Sequence, residues 1–186
     1  MRDDDALQNN PHVSRLALQD LHAGLYSWAL SRCDYNHATA EDLMQQAYVE
    51  ILSGRARFDN KSALKTFVFG VVQNLARSQL RKIAIRLRIV RSHSAELRQD
   101  EFSEADESGS ENEQIWQAVQ SLPARQRDIT ELVFCRDMTI EEASAVMGVT
   151  VGTGRVHYDR AKKTLAVRLA TLNENGAASK ESSRYE

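Results

Sequence analysis

"TIEEASAVMGVTVGTGRVHYDRAKK", Thr139 to Lys163, reads as two short helices meeting at a glycine. Thr139 and Glu142 have the spacing of a capping box, in which each side chain satisfies a backbone N–H left open at a helix start. Gly148 falls where a helix end favours a left-handed residue, and Thr150 is placed to cap the next helix. Two helices joined by a turn of about three or four residues containing Gly form a helix-turn-helix. At about 100° per residue, Gly154, Tyr158, Ala161 and Leu165 share the inward side of the second helix. Gly152, Val156, Asp159, Arg160 and Lys163 fall on the opposite side, with Arg155 on the flank. Small residues at the start of that face let a phosphate approach open N–H groups, and arginine reads guanine bidentately in a major groove. A solvated amphipathic helix would also show a cationic face, but not two caps and a glycine turn in series.

A second basic stripe lies upstream. "SGRARFDNKS", Ser53 to Ser62, has turn chemistry, and Ser62 is placed to cap a helix running to about Arg91. Leu64, Val68, Val71, Val72 and Leu75 form its apolar face, while Gly70, Gln73, Asn74, Arg77 and Arg81 fall together on the other side. Asn, Gln and Arg read base edges. Phe58, Phe67 and Phe69 stand beside these cations, and single-stranded bases stack on such aromatics, although an aromatic in a helix is more often core. Further upstream, Val13, Leu16, Leu21, Leu25 and Trp28 mark one helix face, and Leu43, Ala47 and Ile51 mark another that starts after Thr39. Downstream, Ile115 to Leu122 is a short helix, Pro123 opens one ending near Arg136, and the last helix reaches about Leu172.

Charge is segregated along these elements. Residues 61–98 carry nine Lys/Arg against one acid, and residues 99–120 carry seven acids and no cation. Such division suits a chain that meets a polyanion with some surfaces and a different partner with others. The Ser- and acid-rich stretch Asp100 to Glu113 has too little apolar area to fold, so 99–113 is assigned as a flexible linker. It separates a domain over 1–98 from one over 114–172, followed by a flexible tail, 173–186. With only two Pro and eight Gly among long runs of helix formers, the expected class is all-α, as two small helical domains.

Two segments carry a resemblance. "TAEDLMQQAYVEIL" (Thr39 to Leu52) with "RFDNKSALKTFVFGVVQNLARSQLRK" (Arg57 to Lys82) resembles region two of the extracytoplasmic-function group of bacterial RNA polymerase sigma factors. "LPARQRDITELVFCRDMTIEEASAVMGVTVGTGRVHYDRAKKTL" (Leu122 to Leu165) is similar to their region four. The resemblance implies that the chain binds core RNA polymerase, recognises the minus-thirty-five element as duplex and melts the minus-ten element. By position, Ala40, Glu41, Asp42, Leu43, Gln45 and Gln46 correspond to the segment that docks on the clamp helices of the largest polymerase subunit. Asn74 and Arg77 match minus-ten readers, with Gln73 and Arg81 on the same stripe, and the loop Phe58, Asp59, Asn60 and Lys61 would hold a flipped base. Arg155 and Arg160 match minus-thirty-five contacts, and Gly152, Thr153, Val156, Asp159 and Lys163 complete that surface. The flap region of the second-largest subunit and promoter DNA are further implied partners, with an anti-sigma factor as a candidate regulator. The chain departs from the group's pattern at Gln46, Phe67, Gly154, Val156 and His157. Gly154 alone should cost the helix about 1 kcal/mol relative to Ala.

Other classes find little support. There is no Gly-rich phosphate loop, HExxH or GxSxG, and the five histidines are scattered, so no enzyme, cofactor or metal site is expected. Cys33 and Cys135 lack CxxC spacing, which favours a reducing compartment over a disulfide framework. The acidic start "MRDDDALQNN" is unlike a secretory leader, and no apolar run is long enough for a membrane span, so a cytoplasmic location is expected. The remaining alternative is a stand-alone helix-turn-helix regulator with an N-terminal sensor or dimerisation domain. That reading leaves the 61–91 stripe unexplained.

Overall fold

The computed structural model describes residues 6–91 and 111–182. The chain divides near residue 100 into two compact units, except that Ala145–Gly148 are grouped with the first. Both are helical, as expected, apart from one short hairpin.

The N-terminal unit opens with that hairpin, β1 (Ala6–Leu7) antiparallel to β2 (Asn10–Ser14). The helix expected from Val13 therefore begins later, as α1 (Arg15–Arg32), where Ser14 Oγ accepts the Ala17 N–H at 3.1 Å. Val13 is fully buried all the same, as a strand residue. The connection to α2 (His37–Leu52) turns on Asp34 and Tyr35, both with positive φ. Asn36, not Thr39, caps α2: its Oδ1 accepts the Thr39 N–H at 2.9 Å and the Thr39 hydroxyl at 3.0 Å. Asparagine leads the residues that cap in this way, so the start moves upstream.

The third helix, α3 (Leu64–Arg91), begins with the Phe67 N–H donating to the Ala63 carbonyl, which moves the cap from Ser62 to Ala63. Its buried face is Thr66, Val68, Phe69, Val72, Gln73 and Ala76. Leu64, Val71 and Leu75, expected inside, are only half-buried. The cause is that α3 packs against both α1 and α2, so its covered arc is turned towards Phe69, Gln73 and Ala76. Phe69 packs on Trp28 with ring centroids 6.3 Å apart, and the Arg32 guanidinium lies 4.1 Å from the Trp28 ring centre. Those rings, with Leu25, Leu43, Ile51 and Val72, make the core of this unit.

The C-terminal unit comprises α4 (Glu111–Gln120), α5 (Ala124–Thr130), α6 (Ile140–Met147) and α7 (Val151–Ser182). Pro123 caps α5, which runs on as a π-helical turn, Glu131–Cys135, so the helix expected up to Arg136 is present with one widened turn. Ile129, Leu132, Ala143 and Ala161 are fully buried between these helices. Most of the stretch assigned as a linker lies outside the described residues, and α4 starts within its last three. At the other end α7 continues to Ser182, ten residues past the expected limit near Leu172.

Candidate nucleic-acid interface

The turn between α6 and α7 is fixed by local bonds. Glu142 Oε2 accepts the Thr139 N–H at 2.9 Å, and Thr139 Oγ1 accepts the Glu142 N–H at 3.2 Å, which completes the capping box. Gly148 takes φ 61°, where a side chain would be strained. Its N–H donates to Ala145 and that of Val149 to Ser144, the paired bonds of a Schellman end. Thr150 Oγ1 then accepts the Thr153 N–H at 3.2 Å. Thr153 thus belongs to the cap as well as to the exposed surface. The first-turn N–H groups of Val151 and Gly152 are those a helix leaves without internal partners.

On α7 the faces separate as expected. Gly154 and Ala161 are buried, Tyr158 and Leu165 half-buried, and Gly152, Thr153, Val156, Asp159, Arg160 and Lys163 exposed. Tyr158 packs on Phe134 of the π-helical turn at 5.9 Å between ring centres. Gly154 also has a packing reason. A β-carbon there would collide with Ser144 Oγ and come within 3.3 Å of Ile129 Cδ1, so the loss in helix propensity is what lets α6 and α7 cross closely. Arg155, on the flank, donates to Glu141 on α6 at 2.9 Å, with both side chains more than half exposed. Glu141 is held ionised below the usual carboxylate range, by a bond from its own backbone N–H and then by Arg155. Asp159 pairs with Lys162 at 3.2 Å.

On α3, Asn74 and Arg81 are exposed and Arg77 is half-buried. Gln73 departs from the expected face. It is 3% exposed and buried with the apolar residues. With its amide oriented to satisfy both groups, Gln73 Oε1 accepts from Arg77 Nη2 at 3.2 Å and Nε at 3.3 Å. It therefore steadies Arg77 instead of facing a base. Phe58 is also corrected: it is 8% exposed and packs on Phe67 at 5.1 Å, so it is a wall of the core. Asp59, Asn60 and Lys61 stand outside it as an exposed knuckle. Asn60 has φ 59°, and the Asp59 carboxylate accepts the Lys61 N–H at 3.2 Å and pairs with the Lys61 ammonium at 2.6 Å. Those bonds from Lys61 hold the Asp59 carboxyl below its ordinary range.

On α2, Ala40 and Leu43 are buried, while Glu41, Asp42, Gln45 and Gln46 are exposed. Gln46 accepts from Gln79 of α3 at 3.3 Å. Val49, half exposed, continues the stripe of Asp42, Gln45 and Gln46 at helical spacing. Sequence reading passed over Val49 and Glu141. The first was visible as the i+7 continuation of Asp42, whereas the second depended on how two helices cross.

Among the described residues no group of His, Cys, Asp and Glu is arranged to hold a metal, and no helix is long and apolar enough to cross a membrane. His22 and His37 share hydrogen bonds with Tyr48 and Tyr26.

The arrangement has known counterparts. Residues 18–85 match the Sigma-70 region 2 family, and residues 112–165 match the Sigma-70, region 4 family. The ECF RNA polymerase sigma factor EcfG of Rhodopseudomonas palustris is 30% identical over 72% of this chain and 73% of its own length. The RNA polymerase sigma factor CarQ of Myxococcus xanthus is 26% identical over 84% and 91%. Among solved structures, the sigma factor RpoE of Bartonella quintana, in complex with the anti-sigma factor NepR, covers 84% of this chain and 96% of its own, with TM-score 0.64 and 26% identity. The CnrH structure matches with TM-score 0.56 at 19% identity, which speaks for the fold alone. With both regions present in order on one chain, the protein belongs to the extracytoplasmic-function group of RNA polymerase sigma factors.

Proposed function

We propose that the chain joins core RNA polymerase through the outer face of α2, Glu41, Asp42, Gln45, Gln46 and Val49, and gives the holoenzyme its promoter preference. The C-terminal unit reads the minus-thirty-five duplex with the α7 face, Gly152, Thr153, Arg155, Val156, Arg160 and Lys163. Asp159 sits on that face but opposes phosphate. In the N-terminal unit Asn74, Arg77 and Arg81 meet the minus-ten strand, and the knuckle Asp59, Asn60 and Lys61 holds a base drawn from the stack.

The observation that carries this reading is the pairing of two different exposed surfaces on one chain. One is a capped helix-turn-helix with cations on its outer face, and the other is an Asn/Arg stripe beside a self-braced loop. The first suits duplex DNA and the second suits a displaced single strand. An anti-sigma partner belongs to the same proposal, because the Bartonella relative was solved bound to one. Promoter work at the chromosome places the chain in the cytoplasm. Its role is recognition rather than catalysis, with the polymerase supplying the chemistry.

The experiment is run-off transcription from a promoter library with purified core polymerase, with and without this chain. Chain-dependent transcripts sharing a minus-thirty-five and a minus-ten motif are expected. Tight sequence-specific binding by the chain alone, with no effect on polymerase, would favour a stand-alone regulator.

A further inference from the structure

The N-terminal hairpin precedes the segment that matches the region 2 family, which begins at residue 18. It nevertheless makes four side-chain hydrogen bonds to the end of α2 and the loop after it. Asn10 on β2 is 1% exposed. Its Nδ2 donates to the Ile51 carbonyl at 2.7 Å and to the Ala56 carbonyl at 2.8 Å, while its Oδ1 accepts the Phe58 N–H at 3.0 Å. Both donor hydrogens of the amide are thereby used, and one side chain ties the last turn of α2 to Ala56 and Phe58 in the loop after it. Beside it, Asn9 Nδ2 donates to the Leu52 carbonyl at 3.2 Å. Gly54 takes φ 73°, and a β-carbon there would lie 2.8 Å from the Asn9 carbonyl oxygen, so hairpin and loop are in close backbone contact.

The loop held in this way runs directly into Asp59, Asn60 and Lys61. Phe58 is the hinge of that knuckle and is fixed twice, its amide by Asn10 and its ring by Phe67. A loop that captures a base must be in place before the base arrives, since a displacement of about 1 Å in a positioning group costs up to about a hundredfold. We propose that the hairpin is a brace for base capture and that Asn10 is its positioning residue, acting through the Phe58 amide on the knuckle. This rests on the reading of Asp59 to Lys61 as the base-holding loop.

The test uses the full chain with core polymerase on templates carrying each of the four bases at the captured non-template position. Permanganate reactivity of the bubble reports opening, and competition binding reports the closed complex. Asn10→Ala should flatten the ranking of the four bases by about tenfold, within the range a misplaced group commands. Closed-complex affinity and minus-thirty-five preference should stay unchanged. The knuckle variant Asn60→Ala with Lys61→Ala should flatten the same ranking, and adding Asn10→Ala to it should produce little further loss, as for groups acting in one chain. Leu25→Ala, in the core away from the loop, serves as a stability control. It should lower the melting temperature and keep the ranking. Should Asn10→Ala not fold, Asn10→Ser retains a shorter hydroxyl and gives the same comparison. If the knuckle variant flattens the ranking while the Asn10 variants only lower the melting temperature, the brace is structural and the proposal is overturned. If the knuckle variant leaves the ranking intact, the base-holding reading fails, and the proposal with it.

Discussion

Gly154 on α7 lies directly against Ser144 on α6, with no room for a methyl group between the two helices. Ser144 is itself 1% exposed and donates to the Ile140 carbonyl at 2.6 Å, so its hydroxyl is held in the gap. Propensity and packing therefore oppose each other at this position. Alanine gains about 1 kcal/mol in an isolated helix, whereas forcing an extra methyl into a packed crossing costs about 1–3 kcal/mol. Gly154→Ala should lower the melting temperature of the C-terminal unit, and Ser144→Gly should restore it in the double variant. A higher melting temperature for Gly154→Ala alone would show that the crossing yields.

Arg155 is expected to change partner on binding DNA. The Glu141 carboxylate that holds it is more than half exposed and stands beside the face of α7 proposed to meet DNA. Exposed pairs of this kind contribute little to folding. Glu141→Gln should leave the thermal melt nearly unchanged and tighten holoenzyme binding to all promoters, while Arg155→Ala should reduce the salt slope of that binding by about one unit. An unchanged salt slope in Arg155→Ala would mean that Arg155 stays with Glu141 in the complex.

Arg160 and Lys163 share the outer face of α7 but differ in chemistry. Arg160→Ala should relax preference at one minus-thirty-five base pair, at a cost of about 1–3 kcal/mol. Lys163→Ala should weaken all sequences alike. Tyr158→Ala acts through its packing on Phe134 and should destabilise the unit by about 1–3 kcal/mol without changing preference. Binding to a promoter library at several salt concentrations, with melts of each variant, separates the three.

Asp42→Arg, on the exposed stripe of α2, should weaken assembly with core polymerase while the N-terminal unit keeps its melting temperature. Val49→Asp should do the same from the apolar end of that stripe. Unchanged holoenzyme affinity in both would move the docking surface elsewhere.

Asn74→Ala should slow strand opening more than it weakens the closed complex, because a base must leave its stack before the side chain meets it. Stopped-flow fluorescence of a base analogue in the minus-ten element follows the opening step. Loss of the closed complex at an unchanged opening rate would place Asn74 on the duplex.

What sequence could disclose follows from the reach of each interaction. The capping box of Thr139 and Glu142, the Gly148 turn and the Thr150 cap are closed by atoms within five residues of one another, so residue spacing suffices to see them. Gln73 was misplaced because a helical wheel assumes one covered face, and α3 is covered by two helices. Asn36 and Thr39 are both acceptable caps, and only their contest in three dimensions decides between them. Asn10 was out of reach altogether: its partners lie 41 to 48 residues away, and the hairpin that carries it has no strong alternation of apolar and polar residues.

The turn between α6 and α7 is closed at both ends by its own side-chain and backbone bonds, with Gly148 already in its left-handed setting. If α7 is the helix that reads the duplex, as proposed above, it meets DNA as a finished shape, and no segment of the turn has to fold on contact. The heat-capacity change of minus-thirty-five binding should accordingly scale with the apolar area covered at the interface alone, without the larger negative contribution that accompanies folding coupled to association.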